Sequence, residues 1–224
     1  ANTANYNVDN GLVVSSAVPQ SPVDACVVLT FATAIDTGTV YNITFTNISD
    51  CKGNSVGILN DQFVQGGRAS PFQILITELM ADPTPAVQLP EYDYVELYNA
   101  GTTVVDLSSW TVEDPTSTFA TLPTYNVVPG EYVIVCDDAA ETDFRALGIT
   151  NLAISNSFPS LNSTGDSIYV YDAASVLMDF VFYDDDWYQD EAKEDGGWSL
   201  ERIDPAFLCE NAGNWRASED LRGG

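Results

Sequence analysis

The residues of this chain that could do chemistry are carboxylates and aromatic rings. Glu78, Glu96 and Glu201 stand in strand-like runs, and Arg202 follows the last of them. Period-two alternation puts Glu78 on the side of Ile74 and Ile76, and Arg202 on the side of Trp198 and Leu200, so charges of both signs are expected among apolar neighbours. Buried ions need partners. The expectation is therefore that Arg202 pairs with Glu78 or Glu96 across neighbouring strands and fixes strand order. A glycosidase-like use of the acids would need two carboxylates facing each other across an open cleft, which the strands of a small sandwich rarely supply. No residue is singled out as catalytic. The chain has no histidine, which removes the usual zinc sets and Cys-His or Ser-His catalysis.

A second group is the acidic run that begins Asp184-Asp185-Asp186-Trp187-Tyr188-Gln189-Asp190. Oxygen ligands at this density suit Ca²⁺, with Asp184, Asp185, Asp186 and Asp190 as candidate ligands, but the glycine and the bidentate acid of an EF-hand are missing. The alternative is a solvated acidic loop anchored by Trp187 and Tyr188. Tyr94 and Tyr98 share a strand face with Glu96, opposite Val95 and Leu97. Rings beside acids suit sugars, since stacking combines with hydrogen bonds to hydroxyls, so Tyr94, Tyr98, Trp187 and Tyr188 form a candidate binding face with glycan as a ligand class. Asn42, Asn47 and Asn162 fit the N-glycosylation tripeptide, and Asp166-Ser167-Ile168 is similar to the O-glycosylation acceptor of Bacteroidetes, at Ser167.

The elements that position these groups belong to a strongly acidic chain. Its 224 residues carry 33 acidic and 7 basic side chains, a formal charge of −26, yet 45% are hydrophobic and 11% aromatic. That is a folded body with an acid skin, and its charge repels nucleic acid and anionic lipid, so neither is an expected partner. No apolar run approaches the roughly 20 residues of a membrane helix, so membrane insertion is not expected. The N-terminus has neither a basic region nor an apolar core, as in a mature or excised piece. Four cysteines, Cys26, Cys51, Cys136 and Cys209, lack Cys-x-x-Cys spacing. Two disulfides are expected, with Cys26–Cys51 and Cys136–Cys209 the simplest of three connectivities, which places the protein outside the cytoplasm.

Along the chain, short β-rich runs are broken by Gly, Pro, Asn and Asp, and Asp137–Leu147 with Gly148 after it is the one helix candidate. The polar breaker Gln65–Pro71 divides the chain into a domain over 1–66, a linker over 67–71, a larger domain over 72–220, and the start of a tail or linker over 221–224.

Two resemblances follow from particular stretches. Asn5–Gly11, Thr37–Thr44 and Asp50–Asn54 give residues 1–66 a pattern that resembles bacterial Ig-like modules. From residue 72 onward, five stretches resemble a bacterial, Bacteroidetes-type lamin-tail domain: Ile76–Met80, Tyr94–Asn99, Val105–Trp110, Pro129–Ile134 and Gly196–Ile203, extended by Asn211–Ser218. These resemblances imply an all-β chain of two Ig-like β-sandwich domains in tandem. They also imply a non-catalytic module of a larger secreted or cell-surface protein, spacing domains or contacting other extracellular domains or copies of itself. Two alternatives stand beside it: a calcium-dependent or glycan-binding module, and an accessory domain of an extracellular hydrolase or nuclease whose catalytic domain lies outside this segment.

Overall fold

The computed structural model describes residues 1–20, 26–49, 54–116, 118–208 and 212–224. The chain is all-β and divides into two compact units, Ala1–Gly67 and Arg68–Gly224.

In the first unit the strands are β1 (Tyr6–Val8), β2 (Val14–Pro19), β3 (Val27–Phe31), β4 (Val40–Phe45), β5 (Ile48–Ser49), β6 (Ser55–Val56) and β7 (Leu59–Val64). β4 is the centre of an antiparallel sheet ordered β1-β4-β7, while β2 and β3 form a hairpin of their own. Alternation along β4 turns Tyr41 and Ile43 inward, where they meet Tyr6, Val8, Leu12 and Ala17. Phe63 of β7 stacks on Phe31 and Tyr41 at 5.6 and 5.4 Å, so one ring ties the hairpin to the sheet.

The second unit contains β8 (Ile74–Met80), β9 (Tyr94–Asn99), β10 (Val105–Asp106), β11 (Thr111–Glu113), β12 (Phe119–Thr121), β13 (Asn126–Val127), β14 (Tyr132–Asp137), α1 (Glu141–Ala146), β15 (Leu152–Ser155), β16 (Gly165–Tyr171), β17 (Leu177–Asp184), β18 (Leu200–Arg202) and β19 (Trp215–Ala217). Six strands in the order β15-β14-β9-β8-β18-β19 form one sheet, and β12-β11-β16-β17 form another. Their inner faces share a core that includes Ile74, Ile76, Val95, Leu97, Val112, Ile168, Val170, Val181 and Trp215. β14 and β15 run parallel, and α1 makes the crossover between them. Acidic Glu141 and Asp143 lie in the first turn of α1, and Gly148 at φ +84° follows its last turn. The helix sets Phe144 edge-on against Tyr94 at 5.6 Å, and with Met80, Cys136 and Leu152 they cover part of the outer face of the six-stranded sheet.

Several expectations change here. Of residues 221–224, Gly223 is buried and its carbonyl accepts from Ser199 N–H at 2.7 Å, while Leu221 is exposed. Of the expected linker, Ala69 packs on the core of the second unit. The thiols of Cys26 and Cys136 are free, and Cys51 and Cys209 lie outside the described residues. Cys136 is fully buried among apolar side chains, and burial pushes its thiol up to about 12, so it packs as a small hydrophobe.

The Gly196-Gly197 pair shows why β18 enters the sheet where it does. Gly196 sits at φ +107° and Gly197 at φ +78°, and an added Cβ would lie 2.1 Å from the Thr84 carbonyl oxygen and 2.2 Å from that of Pro85, respectively. Gly197→Ala is therefore expected to lower the unfolding free energy by about 2 kcal/mol or more, because rigid backbone blocks the methyl group. Gly130→Ala, at φ +80° but with nothing within 4 Å, carries only the conformational penalty of about 1 kcal/mol. Urea denaturation of both variants checks the contrast.

Candidate functional site

Strand β8 decides where the charges go. Its pairing with β9 shifts register between Ile76 and Glu78, so Thr77 is an extra residue and alternation reverses there. Ile74 and Ile76 face the sandwich core before the bulge and Leu79 does so after it, while Glu78 and Met80 turn to the outer side. Strict alternation had placed Glu78 with Ile74 and Ile76; the bulge overturns that placement, and with it the proposed partners of Arg202.

Arg202 instead pairs with Asp179 of β17, Nη1 to Oδ2 at 3.1 Å, with side chains only 1% and 2% exposed. The same carboxylate accepts Ile76 N–H at 2.8 Å, and Arg202 Nη1 donates to Ile76 C=O at 3.1 Å. The pair thus takes up both backbone groups of the residue at the bulge and joins the two sheets through the core. The Arg202 guanidinium also lies 5.6 Å from the centre of the Trp215 ring, its cross-strand neighbour. Burial raises the Asp179 carboxyl above the ordinary range in spite of the guanidinium.

On the outer face of the six-stranded sheet, Glu96, Glu78 and Glu201 lie directly opposite one another on β9, β8 and β18. The Tyr94 hydroxyl donates to Glu78 Oε1, and the Thr77 hydroxyl donates to Glu96 Oε1 at 2.8 Å. Burial, followed by the charge of Glu78, pushes Glu96 up to about 8, and burial raises Glu78 as well. A cleft of about 380 Å³ opens above these acids, walled by Leu89, Tyr132, Phe144 and Ile149. A second, of about 340 Å³, shares Glu78, Glu96 and Tyr132 and reaches Glu201 and Pro205. The carboxylates stand side by side on one sheet and point the same way, which is not the arrangement of an acid and a nucleophile flanking a sugar bond. What the geometry offers is a negative, proton-holding floor between aromatic and aliphatic walls.

The other residues marked in the sequence are scattered. Tyr94 is buried beneath Phe144 and Tyr188 is buried in the sandwich core, while Trp187 packs on that core 6.4 Å from Trp215. Tyr98 stacks on Tyr132 at 4.4 Å, on the outer face of the six-stranded sheet. The four rings therefore form no single binding face. Asp184, Asp185 and Asp186 bring carboxylate oxygens within 4.8 Å of one another; Asp190 serves a local turn, accepting Ala192 N–H at 3.0 Å. Asn42, Asn47 and Asn162 are exposed and Ser167 is half-buried. The Asn42 amide is already held between Asp9 at 2.6 Å and Gln62 at 2.8 Å.

The outer face of the four-stranded sheet is where sequence reasoning missed most. Phe119, Glu113, Tyr169 and Phe180 form one row across β12, β11, β16 and β17. Phe182 lies one step along β17, and Tyr171 one step along β16. Tyr169 has Tyr171, Phe180 and Phe182 as ring neighbours at 6.2, 6.5 and 5.8 Å. Phe119 and Phe182 are each 47% exposed. The signal was in the sequence: Tyr169-Val170-Tyr171 and Phe180-Val181-Phe182 alternate rings with aliphatics, the pattern of strands with aromatic outer faces.

Two sheets packed face to face around a shared core define the second unit as an Ig-like β-sandwich. The family model for the Lamin Tail Domain matches residues 68–185, and the chain belongs to that family. A crystal structure of a DUF4876 family protein from Bacteroides thetaiotaomicron VPI-5482 is similar at 11% identity and TM-score 0.41, covering 88% of this chain and 83% of that one. No curated protein matches the chain. Among the described residues, no helix is long and apolar enough to cross a membrane.

Proposed function

We propose that this chain is a non-catalytic interaction module of a larger secreted or cell-surface protein, spacing its neighbours and holding a protein partner against the second unit. The observation that supports this reading most directly is the cleft over Glu78 and Glu96. It is concave, with mixed apolar and polar walls, and two carboxylates stand side by side on its floor. Of the six described basic side chains none pairs with Glu78 or Glu96, although Arg216 stands opposite Glu201 at the end of the same row. Arg68, Arg145, Arg202, Arg216 and Arg222 pair with Asp172, Glu141, Asp179, Glu219 and Asp220, and Lys193 lies over Trp198. A partner that inserts a cationic side chain between Tyr132 and Ile149 would bring the missing counter-charge.

Cross-linking mass spectrometry on the intact parent protein tests this, with a photoreactive group attached at Thr150→Cys on the rim. The expected result is a partner cross-link that disappears in Tyr132→Ala, while the melting temperature stays within a few degrees. Cross-links indifferent to Tyr132→Ala, or turnover of glycoside or nucleic-acid substrates that Glu96→Gln abolishes, would overturn the reading.

A further inference from the structure

The aromatic face of the four-stranded sheet lies on the opposite side of the sandwich from that cleft. Three observations on it belong together. First, it is a continuous ring surface: Phe180 and Phe182 contact each other at 5.3 Å, and Tyr169 bridges them to Tyr171. Sheet faces turned to water ordinarily carry polar side chains, so exposed rings in such a patch mark a contact surface.

Second, the rings are interleaved with acids. Glu113 stands in the ring row between Phe119 and Tyr169, and its carboxylate is held upright by the Thr111 hydroxyl at 2.6 Å. Asp184 is the next outward position of β17 after Phe180 and Phe182, which makes the Asp184-Asp185-Asp186 cluster the edge of this face. Third, the six described Lys and Arg side chains have their partners elsewhere, and none of them pairs with Glu113 or Asp184.

We propose that this face, centred on Tyr169 and Phe182 with Glu113 and Asp184 as its acids, docks an extended arginine-bearing segment of a partner protein. Guanidinium is the cationic group that matches both halves of the surface, since its plane stacks on rings and its forked donors fit carboxylates. A lysine ammonium meets the charge but lacks the stacking plane. A second copy of the chain is disfavoured by a net charge of −26 on each partner.

The probe is an acetylated, fluorescently labelled hexa-arginine amide, titrated onto the full chain by anisotropy at physiological salt, with hexa-lysine as comparison. Hexa-arginine should bind several-fold more tightly than hexa-lysine. Tyr169→Ala and Phe182→Ser should each weaken it about 3- to 30-fold, without changing the charge and with the melting temperature preserved. Glu96→Gln, on the other sheet, should leave this binding unchanged. Three results would overturn the proposal. Equal affinity for both peptides, untouched by the ring variants, would mean attraction to bulk negative charge alone. Tyr169-dependent binding of a neutral oligosaccharide without hexa-arginine binding would assign the face to glycans. Self-association that Phe182→Ser dissolves would assign it to a second copy.

Discussion

Asp179→Ala is expected to remove roughly 3–5 kcal/mol of unfolding free energy from the second unit. The substitution removes the carboxylate paired with a guanidinium that is 1% exposed on its side chain and takes away the acceptor of Ile76 N–H. Asp179→Asn keeps an oxygen for Ile76 but not the charge, and should fall between. Replacing both partners by apolar groups, Asp179→Leu with Arg202→Met, should recover much of the loss, because desolvation of the ions then disappears along with their attraction. The measurement is clean in this chain: its four tryptophans, Trp110, Trp187, Trp198 and Trp215, all lie in the second unit, so their fluorescence follows that unit's urea transition alone. A transition unmoved by Asp179→Ala would mean that the bulge at Thr77 is held by other contacts.

The same pair shows where reading the sequence succeeds and where it stops. Alternation placed Val95 and Leu97 in the core and Tyr94, Glu96 and Tyr98 on the other side, and the strand follows it, because β9 has no irregularity between Tyr94 and Asn99 where it pairs with β14. In β8 one extra residue reverses the faces, and nothing local in Ile74–Met80 announces it. At the bulge the Ile76 N–H is taken up by Asp179, some 100 positions away in sequence. A buried arginine was legible as a charge in need of a partner. Which acid meets it is set by sheet-to-sheet packing, which no local period encodes. The aromatic face of β16 and β17 differs again: its pattern was local and legible, but rings read as core by default until the opposite face is known to be filled by Ile168, Val170 and Val181.

The outer acids yield the second large effect, on pH. Glu96 holds its proton up to about 8 in the folded chain, against 4.5 ordinarily, because it is buried and faces Glu78. A carboxyl raised on folding binds more protons in the native state than in the unfolded one, so stability is greatest below the unfolded value and falls as pH rises towards the folded one. The groups facing Glu78 and Glu96 are the carboxyls of Glu201 and Asp220 and the hydroxyls of Thr77, Tyr94, Tyr132 and Ser199; the one cation in the row, Arg216, lies beyond Glu201 and pairs with Glu219. From pH 5 to 8.5 the unfolding free energy read by tryptophan fluorescence should therefore fall by roughly 2–4 kcal/mol. Ordinary carboxylates are ionised above pH 6 and the chain has no histidine, so the upper part of that slope belongs to perturbed acids. Glu96→Gln keeps an acceptor for the Thr77 hydroxyl but has no proton to lose. It should flatten the slope between pH 6 and 8.5 and leave the variant more stable than the parent at the alkaline end. Glu78→Gln should act more weakly in the same direction by removing the charge that faces Glu96. An unchanged slope in Glu96→Gln would show that the row of acids is already neutralised, and the counter-charge assigned to a partner in the cleft would then have nothing to compensate.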